Sequence, residues 1–364
     1  MQGAQVIVLA TPVFLLLIGI ELLVGLRRGR NTYRMNDALN SIGLGVLSQL
    51  AGVFSRLMTI GLYSLAFSHF ALWPLPSDAP WVWGLALLLY DLCYYWQHRA
   101  GHRCALFWAA HVVHHQSEDY NLSTALRQTS SGWLAGWLFY LPMAVLGVPP
   151  LVFAVVALID LLYQFWVHTQ QVGKLGWFDR WFCSPSNHRA HHAVNERYLD
   201  CNYGGILIVW DRLFGTFVEE DEAEPCVYGT RSPLRSWNPL WANLQVYAEL
   251  ARDSWQTRRW GDKLRVWTKP PGWRAPDLAM RHQKPPFKLQ QLRRYDPPAS
   301  RAAQALAVAL FALLLAATTA FLWTAHSLGL VQQLLAAATI AAGLWGVGWL
   351  SEGRPIVASA AVRT

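Results

Sequence analysis

The sequence predicts an all-α fold: a multi-pass membrane helical bundle carrying a histidine-rich site for two metal ions on its cytoplasmic side. Three observations predict it. Of the 364 residues, 54% are hydrophobic and 14% charged, whereas a soluble globular chain carries roughly 25% charged residues. Several apolar runs are long enough to cross a hydrocarbon core of about 30 Å. Nine of the twelve histidines fall between His98 and His192, at spacings that a helix turns toward one face.

Taken in order, residues 5–25 (QVIVLATPVFLLLIGIELLVG) form the first spanning run. A signal peptide would carry its charges ahead of the run, but here RRGRNTYR follows it at 27–34. The positive-inside rule therefore puts the loop 26–37 in the cytoplasm and the N-terminus outside. Residues 42–72 are apolar again and too long for one upright crossing, so a tilted or broken span is expected, ending at the Pro74/Pro76 turn. A span over roughly 80–97 then runs straight into His98 on the cytoplasmic side.

The polar stretch 99–130 carries two histidine clusters, and two short apolar runs follow, 131–150 and 151–167, separated by Gly147-Val148-Pro149-Pro150. A hairpin that dips in and returns would leave His168 on the same side as His98, as shared metals require. Residues 169–300 form a polar block, and 251–301 holds 13 Lys/Arg against 4 Asp/Glu, suited to anionic headgroups. Apolar segments 302–325 and 328–350 close the chain. The expected organisation is N-terminal spans (1–78), a catalytic core (79–230), a basic cytoplasmic segment (231–300) and a membrane hairpin (301–364). Such a chain belongs in a membrane, here expected to be a bacterial inner (cell) membrane.

Composition also excludes classes. The net charge is +8, but the basic residues flank apolar spans rather than forming a soluble basic face, which argues against nucleic acid as a partner. The 20 tryptophans and 13 tyrosines suit interfacial belts. Five cysteines without a CxxC pair give no disulfide framework or thiolate metal site. Cys104, Cys183, Cys201 and Cys226 fall in the cytoplasmic part, where thiols stay reduced.

The histidines form clusters: His98 and His102; His111, His114 and His115 (HVVHH); His168 in FWVHTQ; and His188, His191 and His192 (HRAHH). Imidazole suits Fe, Zn, Cu and Ni rather than Mg or Ca. Nine such groups exceed what one ion of four to six ligands takes, so two ions are expected. An isolated HRAGH could be an amphipathic surface, and His168 alone could cap a helix end; it is the repetition of HxxHH that points to metal. His69, His282 and His326 stand apart and read as non-ligands.

Asp91 and Asp160 lie inside apolar runs, where acids are costly and tend to be functional. Either could accept the far N–H of a ligand imidazole, or simply hold neighbouring helices together. In SEDYNLSTALRQ (117–128), Glu118, Asn121, Thr124, Arg127 and Gln128 could bind a headgroup or water, while Glu118 and Asn121 serve equally well as helix caps. Glu118, Asn121 and Asp91 are the candidate catalytic residues.

The boxes HRAGH (98–102), HVVHH (111–115) and HRAHH (188–192) resemble those of the fatty acid hydroxylase/sterol desaturase superfamily, membrane-bound non-haem di-iron enzymes. The flanks DLCYYWQHRAGH, SEDYNLSTALRQ, YQFWVHTQ, SPSNHRAHH and NYGGILIVWDRLFGTF resemble its alkylglycerol monooxygenase branch, over about residues 85–230. The resemblance implies two iron ions held by His98, His102, His111, His114, His115, His188, His191 and His192, with His168 a further ligand. It implies a lipid substrate, O2, an electron donor, and hydroxylation of the carbon beside an ether oxygen, after which the hemiacetal collapses. Animal members use tetrahydrobiopterin; no independent pterin site is visible in this sequence. Arg103 stands where they carry an acid after the second histidine. The rival readings are a sterol or fatty acyl hydroxylase or desaturase, a zinc-dependent membrane hydrolase, against which HExxH is absent, and a non-catalytic metal carrier.

Overall fold

The structure, a computed structural model, describes residues 3–281 and 286–353, and among them it is helical throughout, with two isolated β-bridges and no strand. Helix α1 (Gly3–Arg27) is apolar on nearly every side. Leu9, Val13, Leu16, Ile20 and Leu23 stay exposed along it, a surface that lipid covers and water does not. Its Glu21 turns inward and accepts hydrogen bonds from Tyr33, Thr169 and the Leu122 amide, tying α1 to the loops around the histidines.

Helix α2 (Met35–Phe70) begins earlier than the apolar run at 42 suggested and continues unbroken for 36 residues. Its first turns are polar but not loop-like, because their side chains find distant partners. Ser117 donates to Asp37, Asn40 donates to the Trp237 carbonyl at 2.7 Å, and Arg127 donates to Asn40 at 2.9 Å. Among the described residues, four stretches are long and apolar enough to cross a membrane: Gln5–Arg27, Met35–Ser55, Arg301–Ser327 and Leu330–Ser351. The crossing expected at 80–97 is not among them. Helix α3 (Pro80–Arg103) has the length, but Asp91, Gln97, His98, Arg99 and His102 interrupt its apolar run.

Helix α4 (Ala105–His115) follows a single extended residue, Cys104. A four-residue helix α5 (Leu122–Ala125) lies beyond it. The expected apolar hairpin is present but uneven. Its first arm is two 3-10 turns and the short α6 (Leu141–Leu146), and its second is α7 (Pro150–Trp166). The tip needs Gly147: its φ is +95°, and a Cβ there would lie 1.9 Å from the Trp73 carbonyl oxygen. Pro150 then starts α7, a position where no amide is missed.

The polar block is built of α8 (Phe178–Trp181), α9 (Pro185–His192), α10 (Val209–Leu213), α11 (Pro239–Gln256), α12 (Trp260–Thr268) and α13 (Pro276–Arg281). Helices α14 (Arg301–Thr324) and α15 (Leu330–Ser351) pack on α2 through Leu47, Leu50, Phe311, Leu314, Leu344 and Val347. A second core joins α2, α3, α6 and α7 through Tyr63, Val82, Tyr90, Met143, Val152 and Phe153. The histidines sit where α3, α4, α7 and α9 end together, below these two cores.

Candidate metal centre

Helix α3 carries His98 and His102 one turn apart, and α4 brings three more imidazoles beside them. The two helices pack closely there: a Cβ at Gly101 would lie in van der Waals contact with the His111 side chain, at 3.4 Å. Helix α9 starts at a serine cap, with Ser184 accepting from the Asn187 amide at 3.4 Å, and every one of its residues is buried. His168 follows the end of α7.

The structure brings all nine clustered histidines together and sorts them into two groups. His98, His102, His111, His115 and His191 form one; His114, His168, His188 and His192 form the other, and within each group the ligand atoms lie within 4.8 Å of one another. The HxxHH spacing explains the sorting. In α4, His111 and His115, four apart, go to one group and His114 to the other. In α9, His188 and His192 go to the second group and His191 to the first. The stacked rings of His115 and His192, centroids 4.3 Å apart, join the two.

Backbone carbonyls set the protons. His98 Nδ1 donates to the Tyr203 carbonyl (2.9 Å), His191 Nδ1 to Cys201 (2.8 Å), His114 Nδ1 to Arg127 (2.9 Å) and His168 Nδ1 to Gln164 (2.8 Å). A carbonyl only accepts, so each of these rings carries its proton on Nδ1 and a lone pair on Nε2. Yet His114 Nε2 and His168 Nε2 stand 3.1 Å apart. Two lone pairs at that distance repel each other unless a cation lies between them. His191 Nε2 and His102 Nε2 are buried with no hydrogen-bond partner.

Burial holds these rings far below the usual histidine range, His114 at about 4 with the Arg127 charge adding to it, and His191 at about 3 with His114 adding to it. They are neutral near pH 7, the form that metal binding requires. The donor set fits a first-row transition metal such as iron.

The carboxylates do other work. Asp91 touches no imidazole: it accepts from the amides of Ile206 (2.7 Å) and Leu207 (2.9 Å) and from the Trp210 indole (2.9 Å). The far N–H groups of His98, His114, His168 and His191 go to carbonyls instead. Asp160 accepts from Gln164 at 2.5 Å. A Cβ at Gly205 would fall 2.7 Å from Asp160 Oδ1 and 2.9 Å from Asp91 Oδ1, so any larger residue there would displace the two acids.

Asn121 caps α5, accepting from the Ser123 amide at 3.0 Å, and Thr124 completes the capping box. Glu118 accepts from the Tyr295 amide at 2.6 Å and lies 3.7 Å from Arg34. Arg127 does not offer itself to a headgroup. It is buried, donating to the Val113 carbonyl (2.8 Å) and to Asn40 (2.9 Å). His69 and His326 are exposed and outside both groups, and His282 lies outside the described residues.

Sequence reasoning missed Asp211. Buried, it accepts from the amides of Tyr203 and Gly204 and from the Thr216 hydroxyl, each at 2.7 Å, and so holds the loop whose carbonyls orient His98 and His191. Burial lifts its carboxyl to about 6. The signal was present as the lone acid after the Gly204-Gly205 turn.

Two larger cavities reach the imidazoles among the described residues, beside a smaller one of about 290 Å³ that touches His98 and His111. One of about 590 Å³ runs between α1, α2, α7 and α14 and ends at His111, His114 and His168. The other, about 420 Å³, meets His102, His115, His191 and His192 among residues of the polar block.

A family model of fatty acid hydroxylases matches residues 83–216. The chain is 38% identical to the alkylglycerol monooxygenase of Homo sapiens over 349 residues, 95% of this chain and 78% of that protein. It is 36% identical to that of Xenopus tropicalis over 95% of this chain and 77% of that protein. To an ornithine lipid hydroxylase of Rhizobium tropici it is 28% identical over 41% of this chain and 45% of that protein. No solved structure matches it. The chain belongs to the fatty acid hydroxylase family, on its alkylglycerol monooxygenase branch.

Proposed function

We propose that the protein is a membrane-bound di-iron monooxygenase that hydroxylates and thereby cleaves the ether of alkylglycerol lipids. The observation that carries this reading is the junction of two all-imidazole groups with a cavity opening among membrane-spanning helices. His98, His102, His111, His115 and His191 would hold one ion, and His114, His168, His188 and His192 the other. Iron bound there supplies reduction of O2 and the oxidant that takes hydrogen from an unactivated C–H bond.

The chain's own residues select the substrate. Phe14, Val46, Ala157, Leu161 and Leu315 line the cavity, so an alkyl chain enters it without leaving an apolar surrounding. Among the described residues its lining has no Lys or Arg, while Gln49, Gln97, Gln128 and Thr129 offer neutral hydrogen-bonding groups. That pattern suits the hydroxyls of a glycerol better than a phosphate, which calls for cationic partners. The ether carbon hydroxylated beside the oxygen becomes a hemiacetal, which collapses to aldehyde and glycerol. Oxygen supplies one atom to the product and one to water, with two electrons from an external reductant, tetrahydrobiopterin being the first to try.

A hydrolytic zinc site is the weaker reading, since the HExxH pattern is absent. Asp91, Asp211 and Glu118 are bound to amides and side chains away from the imidazoles. A different lipid within the family remains the second reading, since the Rhizobium relative is named for an ornithine lipid. We further place the imidazole groups on the cytoplasmic side of a bacterial inner membrane, because Arg27, Arg28, Arg30 and Arg34 follow the first span.

The test is incubation of the iron-loaded protein with alkylglycerol, 18O2 and reductant, with the aldehyde reduced rapidly to keep its label. Labelled, O2-dependent product is expected. Cleavage under strict anaerobiosis would overturn the monooxygenase, and oxidation of a sterol or acyl chain instead would overturn only the substrate.

A further inference from the structure

The smallest of the three cavities, of about 290 Å³, is a branch of the largest rather than a separate recess. Tyr94, Gln97, His111, Thr129, Gly132 and Gly136 line both. His111 is the one imidazole common to the two, so they meet at the five-histidine group. The large branch runs on past Phe14, Val46, Leu161 and Leu315, an apolar path suited to hydrocarbon. The small branch, of about 290 Å³ against about 590 Å³, reaches Tyr247 on α11.

Unused hydrogen-bond donors gather at the neck and in the small branch. Thr129, Ser131 and Tyr247 form a chain of hydroxyls: Ser131 Oγ lies 3.1 Å from Thr129 Oγ1 and 3.0 Å from Tyr247 Oη. Three hydroxyls joined by two bonds leave one O–H without an acceptor. Gln97 adds to it. Its Oε1 accepts from Tyr140 at 2.6 Å, and its Nε2 has no partner among the described residues. A Cβ at Gly136 would fall 2.7 Å from that nitrogen, so a larger residue there would displace it. No Lys, Arg, Asp or Glu is among the described residues lining the small branch, so the groups it offers a ligand there are neutral. Such donors are matched by the oxygens of an ether and its neighbouring hydroxyls.

We propose that the small branch is the headgroup subsite, which takes the polyol end of an ether lipid while the alkyl chain fills the large branch. This rests on the monooxygenase reading above and gives the lipid one direction. The ether carbon lies at the neck beside His111, and the hydroxyls lie along Gln97, Thr129, Ser131 and Tyr247. Leu106, Phe107 and Ala110 cover the carbon side of the polyol. When the hemiacetal collapses, glycerol and aldehyde are left in different branches, and neither has to pass the other.

The experiment measures anaerobic binding of two ligands to the iron-loaded protein in detergent: hexadecylglycerol, and hexadecyl methyl ether, which keeps the chain and the ether but lacks both hydroxyls. Wild type should bind the glycerol ether roughly tenfold tighter. Tyr247→Phe and Gln97→Met should each weaken the glycerol ether roughly fivefold and leave the methyl ether as it was. Ala135→Phe, which fills the small branch, should erase the preference with iron content unchanged. Leu161→Trp, in the large branch, should weaken both ligands alike. A preference that survives all three small-branch variants overturns the proposal, and so does equal weakening of both ligands in them. Turnover of hexadecylglycerol with 18O2 by the wild type separates the two readings. Turnover together with an unaltered preference in the variants condemns the headgroup subsite alone. No turnover, with no preference for the glycerol ether, condemns the substrate reading and the subsite with it.

Discussion

The two imidazole groups are near mirror images in their helices and quite unlike in what orients them. In the four-histidine group the orienting carbonyls come from Gln164, one turn before His168 on the same chain, and from Arg127, locked by its own guanidinium. In the five-histidine group they come from Cys201 and Tyr203, on a loop with Asp200 and Asn202 at positive φ (56° and 55°). That loop has no helix of its own to hold it. Two buried carboxylates, Asp91 and Asp211, grip its amides from either side. The comparison teaches that one group takes its orienting carbonyls from the ends of nearby helices and the other from a loop held at a distance, so the two should fail separately.

The largest effect expected is loss of the ions themselves. His111→Ala, His115→Ala or His191→Ala should abolish activity and bound iron together, measured by metal analysis, while His326→Ala should keep both. A bystander that stripped iron as fully as a box histidine would break the comparison at its root. Removing iron with a chelator should also lower the midpoint of thermal unfolding, because the facing lone pairs of His114 and His168 then repel each other with nothing between them.

Next comes the four-histidine group's anchor. Arg127→Met should cost about 3 kcal/mol or more of stability, since the Val113 carbonyl and Asn40 would be left buried without a donor. Denaturant unfolding of the iron-free and iron-loaded proteins should register it in both. The five-histidine group has the milder and more selective lesion. Asp91→Asn should lower affinity for one of the two ions by about 10–100-fold and leave the other in place. Equal loss of both ions would show that the loop does not serve one group alone.

The parts of this site that were legible in the sequence are the local ones. HxxHH states its own geometry, because an i,i+4 pair shares a face and the i+3 residue turns aside. The nine histidines and the apolar spans at 5–25 and beyond 301 needed no tertiary knowledge. What orients the rings was hidden, since carbonyls of Cys201, Tyr203, Arg127 and Gln164 have no side-chain signature. Arg127 misled for a related reason: it reads as a headgroup ligand in its segment, but its partner Asn40 is 87 residues away. The polar start of α2 and the inward turn of α3 follow the same rule, with polar residues paid for by contacts far along the chain. The polar cavity draws on α3, α4, α9, α11 and the 270–274 turn, so no single stretch announced it.

The smallest effect sharpens the comparison through pH, at Asp211. Burial holds its carboxyl at about 6 in the folded protein against an ordinary value of 3.8. Between those two pH values the native chain keeps a proton that the unfolded chain has released. Stability therefore falls as pH rises through that window, and the contribution levels off above about 6. Asp211→Asn carries no titrating group there, so its stability curve between pH 4 and 6 should be flatter than the wild type's by this one proton. The amide keeps one acceptor oxygen, but Asp211 needs Oδ1 for Tyr203 and Thr216 and Oδ2 for Gly204, so one amide loses its partner. The variant should accordingly weaken the same ion as Asp91→Asn does, and by less, since the Asp91 side of the grip is intact. An unchanged slope with an unchanged ion count would remove Asp211 from the grip and leave Asp91 to hold the loop alone.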